Sequence, residues 1–265
     1  MFPMKSMFPL MKTPSRLWSI LLPFVAWGMI LSPSPVRTEI IASDDFSQYP
    51  EGRPPETFGG KGWQGKWHVG AETQAVIEMA EGPDGVPKKC LHIAGGNTVR
   101  ALIRRIAEPA KYAGQAVYLR VDFQVNNPKA DSADVFANWM FADERSHRAN
   151  LPGVTTSLQR PPSVRLGDQS KNLAVRLTPE KHHTLIGKLG GWDEAAKAYS
   201  EVTLWLDPEE GSLEAGQPRE AQLSGPPDAK MFELLFLRTH DLGEGFYRFF
   251  EVRLSTSWEE ALRNP

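Results

Sequence analysis

Paired carboxylates, clustered histidines, or aromatic rings beside polar groups would each give this 265-residue chain a chemistry. Hydrolysis of a glycosidic bond with retention needs two carboxyl groups roughly 5–5.5 Å apart. On a strand, residues two apart share a face and stand about 6.5–7 Å apart. A Glu-x-Asp-x-Glu run on one strand is therefore the pattern to look for, and the chain has none. Asp143 and Glu144 are adjacent and would face opposite ways in a strand. Glu209 and Glu210 follow Pro208. Glu201 and Glu251 stand singly in their segments, although strand pairing can still bring either one to a partner. No catalytic residue is assigned on this basis.

Metal chemistry has no better footing. His68, His92, His147, His182, His183 and His240 include no His-x-x-x-His pair, and His182-His183 would project to opposite faces of a strand. Cys90 is the only cysteine, which excludes an intramolecular disulfide and a cysteine-based zinc site. Asp241-Leu242-Gly243-Glu244-Gly245 lacks the ordered spacing of a calcium loop. No metal ligand and no cofactor is assigned. A structural calcium ion near Asp44 and Asp45 is compatible with the fold class reached below. Walker, dinucleotide and Gly-x-Ser-x-Gly motifs are all missing.

Aromatics are the better lead. Sugar rings have apolar faces that stack on indoles, while neighbouring polar groups read the hydroxyls. Trp139, Trp192 and Trp205 sit near Asn138, Arg145, His147, Arg148 and Lys188. The candidate ligand-binding set is Trp139, Arg145, His147, Trp192 and Trp205. Trp63, Trp67 and Trp258 are read as packing residues.

These side chains need strands to hold them. In Val117 to Val125 every odd position is apolar and the even positions are Tyr, Arg, Asp and Gln. That is the pattern of a half-buried antiparallel strand. Glu201 to Leu206 alternates likewise, with Trp205 on the polar phase, and Asp207-Pro208 stops it. Trp205 is open if that phase faces a ligand, and clamped if Glu209 to Pro227, read as a long loop, folds over it. Leu173 to Leu177 is expected to form a hairpin with Ser163 to Leu166, Trp192 to Ala198 a short helical turn, and the residues after Trp258 a short helix. Twenty-two glycines and twenty-two prolines fit many turns and no long helix. The expected fold class is all-β: a two-sheet antiparallel jelly-roll sandwich with at most short helical turns.

Residues 1–37 read as a secretory signal peptide. Lys5, Lys12 and Arg16 precede an apolar run from Leu17 to Leu31, and Ser32-Pro33-Ser34-Pro35 follows. Residues 38–265 are then a single exported domain, periplasmic, cell-surface or extracellular, with no membrane insertion after cleavage. Residues 1–37 hold four bases and no acid, so the rest carries 26 bases against 32 acids, a formal charge of −6. That balance argues against a nucleic-acid partner, which needs concentrated positive charge.

Asp44-Asp45-Phe46 with Tyr49-Pro50-Glu51-Gly52, then Gly62-Trp63-x-Gly65-x-Trp67, resembles the start of secreted bacterial domains of the concanavalin A-like lectin/glucanase superfamily. Val202 to Pro208 resembles that group's strand ending in Asn-Pro, and Phe250 to Trp258 its closing strand. Asp207, Phe250-Glu251 and Ser255 depart from the usual residues, which weakens any transfer of a metal site. The resemblance implies a jelly roll with one concave sheet, in a group whose members often bind glycans and sometimes hydrolyse them. The function expected is a non-catalytic carbohydrate-binding or cell-surface adhesive domain with a glycan or cell-surface polymer as partner. The alternatives are a structural envelope protein that binds another protein, and a glycoside hydrolase or lyase.

Overall fold

The computed structural model describes residues 38–70, 74–94, 100–126, 136–142, 153–215, 217, 221–230, 233–240 and 242–264; the side chains of 100–101, 136–142 and 227–230 lie outside that description. The strands, in chain order, are β1 (Ile40–Asp44), β2 (Trp63–Val69), β3 (Gln74–Glu81), β4 (Pro87–Ala94), β5 (Arg100–Ile106), β6 (Val117–Asn126), β7 (Phe136–Ala142) and β8 (Gly153–Thr156). They continue with β9 (Ser163–Leu166), β10 (Gln169–Asn172), β11 (His182–Asp193), β12 (Ala198–Leu206), β13 (Ala221–Lys230), β14 (Leu234–His240) and β15 (Phe246–Ser255). One short helix, α1 (Trp258–Leu262), follows.

The strands form two antiparallel sheets. An eight-stranded sheet runs β13-β12-β11-β6-β15-β4-β3, with β1 also pairing with β15. A seven-stranded sheet runs β10-β9-β8-β7-β14-β5-β2. Val117, Val121 and Phe123 of the first sheet share one buried cluster with Leu102, Val154, Val164 and Leu237 of the second. The architecture is the all-β jelly-roll sandwich expected from the sequence.

The opening motifs build a structural hub. Asp44 is buried, and its Oδ2 accepts hydrogen bonds from Tyr49 Oη (2.6 Å), Trp67 Nε1 (2.9 Å) and the Arg104 guanidinium. Arg104 lies over both Trp63 and Trp67, its guanidinium carbon 5.1 and 5.4 Å from their ring centroids. Gly62 has φ +72°, and a Cβ there would collide with the Ile41 carbonyl on β1. The Asp-Asp-Phe and Gly-Trp-x-Gly-x-Trp motifs therefore lock β1 to β2 by the Trp67–Asp44 hydrogen bond and to β5 by the buried Asp44–Arg104 ion pair. The Asp44 carboxylate is occupied by Arg104 and three neutral donors, Tyr49, Trp67 and the Phe46 N–H.

Four local expectations need correction. The hairpin partner of β9 is β10, the polar segment Gln169–Asn172, with the turn at Gly167-Asp168. Residues 221–230 are a strand despite Pro226-Pro227. They form the edge strand β13, where a missing N–H is tolerated, and the pairing with β12 skips from Ser224 to Ala229. Between β11 and β12 the chain makes a tight turn over residues 194–197, not a helical turn. Lastly, β6 is not half-buried. Its residues from Val117 to Phe123 are buried on both phases. The odd positions face the core, and on the other phase Tyr118 and Arg120 lie under the C-terminal segment.

Candidate functional site

The outer face of the eight-stranded sheet carries the polar phase of its central strands. On β6 these are Tyr118, Arg120 and Asp122; on β15 they are Glu251, Arg253 and Ser255. A bulge between Phe249 and Glu251 sets the register so that Glu251 opposes Asp122 and Arg253 opposes Arg120. Like charges therefore stand side by side across the ladder, which alone is destabilising.

Pairing along each strand resolves this. Arg120 Nε donates to both Asp122 oxygens at 3.0 Å, and its Nη2 adds a 2.8 Å bond. Arg253 Nε donates to Glu251 Oε1 at 2.8 Å. Each arginine then turns its Nη1 to the end of α1. Arg120 Nη1 donates to the carbonyls of Ala261 (3.3 Å), Leu262 (2.9 Å) and Arg263 (3.0 Å). Arg253 Nη1 donates to those of Glu260 (3.0 Å) and Arg263 (2.5 Å). These are the carbonyls that a helix end leaves without partners, and they attract cations. The helix start is capped by Ser257 Oγ, which accepts from Glu260 N–H at 3.2 Å.

An apolar cap holds α1 in place. Trp258, Ala261 and Leu262 pack on Tyr118, Ile186 and Trp205 as a second buried cluster. The rings of Trp205 and Trp258 meet edge-on at 4.9 Å. Trp258 Nε1 donates to Ser212 O at 2.7 Å. Glu214 accepts from Tyr118 Oη at 2.8 Å and from Lys188 Nζ at 2.5 Å. The loop after β12 is thereby pinned over the same face.

Beside α1 the face stays open as a cleft of about 700 Å³. The buried Arg120, Asp122, Phe250 and Glu251 form its floor. Its rim comes from Asp45 and Ser47 after β1, Asp84 in the β3–β4 turn, Lys88 and Lys89 on β4, and Asn264. The floor is rigidly held: Asp122 also accepts from Thr184 Oγ1 at 2.8 Å, and Asn264 Oδ1 accepts from Arg120 Nη2 at 3.1 Å. Glu251 is 4% exposed, and its Oε2 has no hydrogen-bond partner. Burial raises the Glu251 pKa above the ordinary carboxylate value, against the pull of Arg253 and with added repulsion from Asp122. Lys88 pairs with Asp84 at 2.9 Å, and Lys89 Nζ holds the Ser47 and Tyr49 carbonyls.

A smaller opening of about 330 Å³ lies beside His183 and Asp207. His183 Nδ1 is 2.9 Å from Asp207 Oδ2, and Thr178 N–H donates to Nε2 at 3.0 Å. Asp207 adopts φ +50° and accepts from Thr184 N–H at 2.9 Å. Burial works to raise the Asp207 pKa, but His183 and the Thr184 amide outweigh it and hold the carboxyl below its ordinary value. Here the aspartate of Asp207-Pro208 fastens the end of β12 to the start of β11.

Of the five residues singled out from the sequence, Trp192 and Trp205 have described side chains, and neither is among the described residues that line the cleft. Trp205 is 2% exposed and lies beneath Trp258, so it is a clamp between sheet and helix, not an open stacking platform. Trp192 sits at the far end of β11, half-buried, edge-on to Tyr199 at 4.9 Å, with its Nε1 donating to Glu194 at 2.8 Å. Trp139 belongs to β7, but its side chain, together with all of Arg145 and His147, lies outside the described residues. The site residues missed were Arg120, Asp122 and Glu251. Their signal was present: Arg120-x-Asp122 and Glu251-x-Arg253 place opposite charges on one strand face in mirrored order.

No family model and no curated protein matches this chain. Solved structures share its fold. A protein of unknown function from Shewanella oneidensis MR-1 is 11% identical, with TM-score 0.50, over 84% of this chain and 88% of that one. The receptor binding domain of a botulinum neurotoxin C/D mosaic serotype is 7% identical, with TM-score 0.54, over 82% of this chain. The binding domain of botulinum neurotoxin serotype C1 is 5% identical, with TM-score 0.51, again over 82%. The match spans about half of each toxin chain, 48%. At these identities the likeness is one of fold.

Proposed function

We propose that this protein is an exported carbohydrate-binding domain whose ligand lies in the cleft on the outer face of the eight-stranded sheet. One observation carries the reading: the cleft is preformed, with a floor of hydrogen-bonding side chains fixed by their own ion pairs. Sites of roughly 300–1,000 Å³ with a few convergent polar groups suit small ligands. A floor that needs no reordering limits the entropy lost on binding. The shared fold supports this at a coarse level, since two of the toxin domains that have it are named for binding. Among the described residues no helix is long and apolar enough to cross a membrane. Among the described residues the exposed large apolar side chains are Ile40, Phe58, Met79, Val86 and Leu213, of which Met79 and Val86 share the β3–β4 hairpin.

A glycan array probed with the protein tests the reading. Binding to a defined set of glycans, abolished by filling the cleft rim with Ser47→Trp, is the expected result. An array with no signal overturns it. Export is tested by N-terminal sequencing of the mature protein, with a first residue between Ser32 and Ile41 expected. Hydrolysis has one observation in its favour, the opposition of Asp122 and Glu251 across β6 and β15. Both carboxylates are held by arginines and nearly shut off from solvent, which favours binding over turnover. Release of reducing ends from a bound glycan, lost in Asp122→Asn, would reverse that preference.

A further inference from the structure

Glu251 is the anomaly of the cleft. It lines the cleft, and its Oε2 accepts no hydrogen bond and is closed off from solvent, so a ligand donor must turn the Glu251 side chain to reach it. Every other charged group of the floor is matched: Asp122 by Arg120 and Thr184, and Arg120 by Asp122 and the α1 carbonyls. A buried acceptor without a donor is costly in any folded protein, and a ligand donor removes the cost.

We propose that Glu251 Oε2 receives a hydroxyl of an uncharged sugar, and that the cleft selects neutral glycans over amino sugars and uronates. This rests on the carbohydrate-binding reading above. Charge decides the ligand class. Among the lining residues the carboxylates of Asp45, Asp84, Asp122 and Glu251 face Lys88, Lys89 and Arg120, and Arg253, behind the lining, pairs with Glu251 and completes the balance. The cleft is thus electrically neutral. An ammonium placed on Oε2 would meet Arg120 Nε, which is 3.9 Å from that oxygen, with Arg253 on the other side. A ligand carboxylate would meet Glu251 and Asp122 side by side. A hydroxyl donates to Oε2 without either repulsion.

The register explains why the free oxygen is here. The bulge before Glu251 sets carboxylate beside carboxylate, and α1 draws guanidinium Nη1 atoms away toward its carbonyls. The cleft end of the charge network is left with acceptors in excess of donors. A hydroxyl-rich ligand supplies what is missing.

The test is a panel of neutral, free-amine and uronate oligosaccharides titrated against the full chain. Binding confined to the neutral members is expected. For a neutral binder, hydroxyls are replaced one at a time by fluorine, which accepts but cannot donate. One position should lose about tenfold or more in affinity on the wild type and lose nothing further on Glu251→Gln. If Glu251→Gln does not fold, carbon-13 carboxyl NMR of the wild type decides. The Glu251 resonance shifts with the parent sugar and not with that fluoro analogue. Preferred binding of an amino sugar or uronate, or a Glu251 resonance indifferent to the bound sugar, overturns this inference and leaves the carbohydrate-binding reading standing. A panel with no binder at all takes down both.

Discussion

Trp258→Ala is the sharpest test of how the outer face is organised. Trp258 is 4% exposed; its ring meets Trp205 at 4.9 Å and Tyr118 at 6.4 Å, and its Nε1 donates to Ser212 O. Truncating a buried tryptophan to alanine costs about 3–5 kcal/mol through lost transfer energy and the cavity left behind. The edge-on contacts contribute about 0.5–1.5 kcal/mol of this, and the hydrogen bond about 1 kcal/mol. Because α1 is short it can settle into the gap, so about 3–4 kcal/mol is expected. Guanidinium unfolding followed by far-UV circular dichroism measures it, as a lower midpoint at unchanged slope. Phe58→Ala, at 79% exposure, serves as the control and should stay within about 0.5 kcal/mol of the parent. A loss under about 1 kcal/mol for Trp258→Ala, or a separate early transition, would refute the view that α1 and the sheet form one cooperative unit.

Three further outcomes follow from the buried charges and the thiol. Asp44→Asn keeps an acceptor for Tyr49 and Trp67 but strips Arg104 of its counter-charge, so a loss of about 3–5 kcal/mol is expected in the same unfolding assay. Asp207 has a folded pKa below its ordinary value of 3.8, so its contribution is full above that value and is lost as pH falls toward the folded pKa. Asp207→Asn should flatten the acid-side stability curve in that window, measured by unfolding midpoints between about pH 2 and pH 6. Cys90 is fully buried, and burial, reinforced by Glu78, pushes its thiol up to about 12. An aromatic disulfide reagent should react with it slowly in the native protein and fully in denaturant; rapid native labelling would contradict that burial.

The alternation of Val117 to Val125 was enough to call a strand and to choose its core face, because period-two patterning is a local property. It was not enough to say that the other face is covered. What buries Arg120 is carbonyls of residues 261–263, more than 140 positions away, and nothing local to β6 announces them. Trp205 stayed undecided for the same reason: an indole on a polar phase can be open or clamped until Trp258 is placed on it. The charges at Arg120, Asp122, Glu251 and Arg253 were legible as two mirrored pairs, but their register was not. A bulge of one residue decides whether Glu251 and Arg253 face the same side as Asp122 and Arg120 at all. Here like charges meet, and the arrangement persists because a helix end absorbs one donor from each arginine. The same helix that buries the aromatic half of the face thereby polarises the other half, and the acceptor left over on Glu251 is a consequence of how the chain is capped.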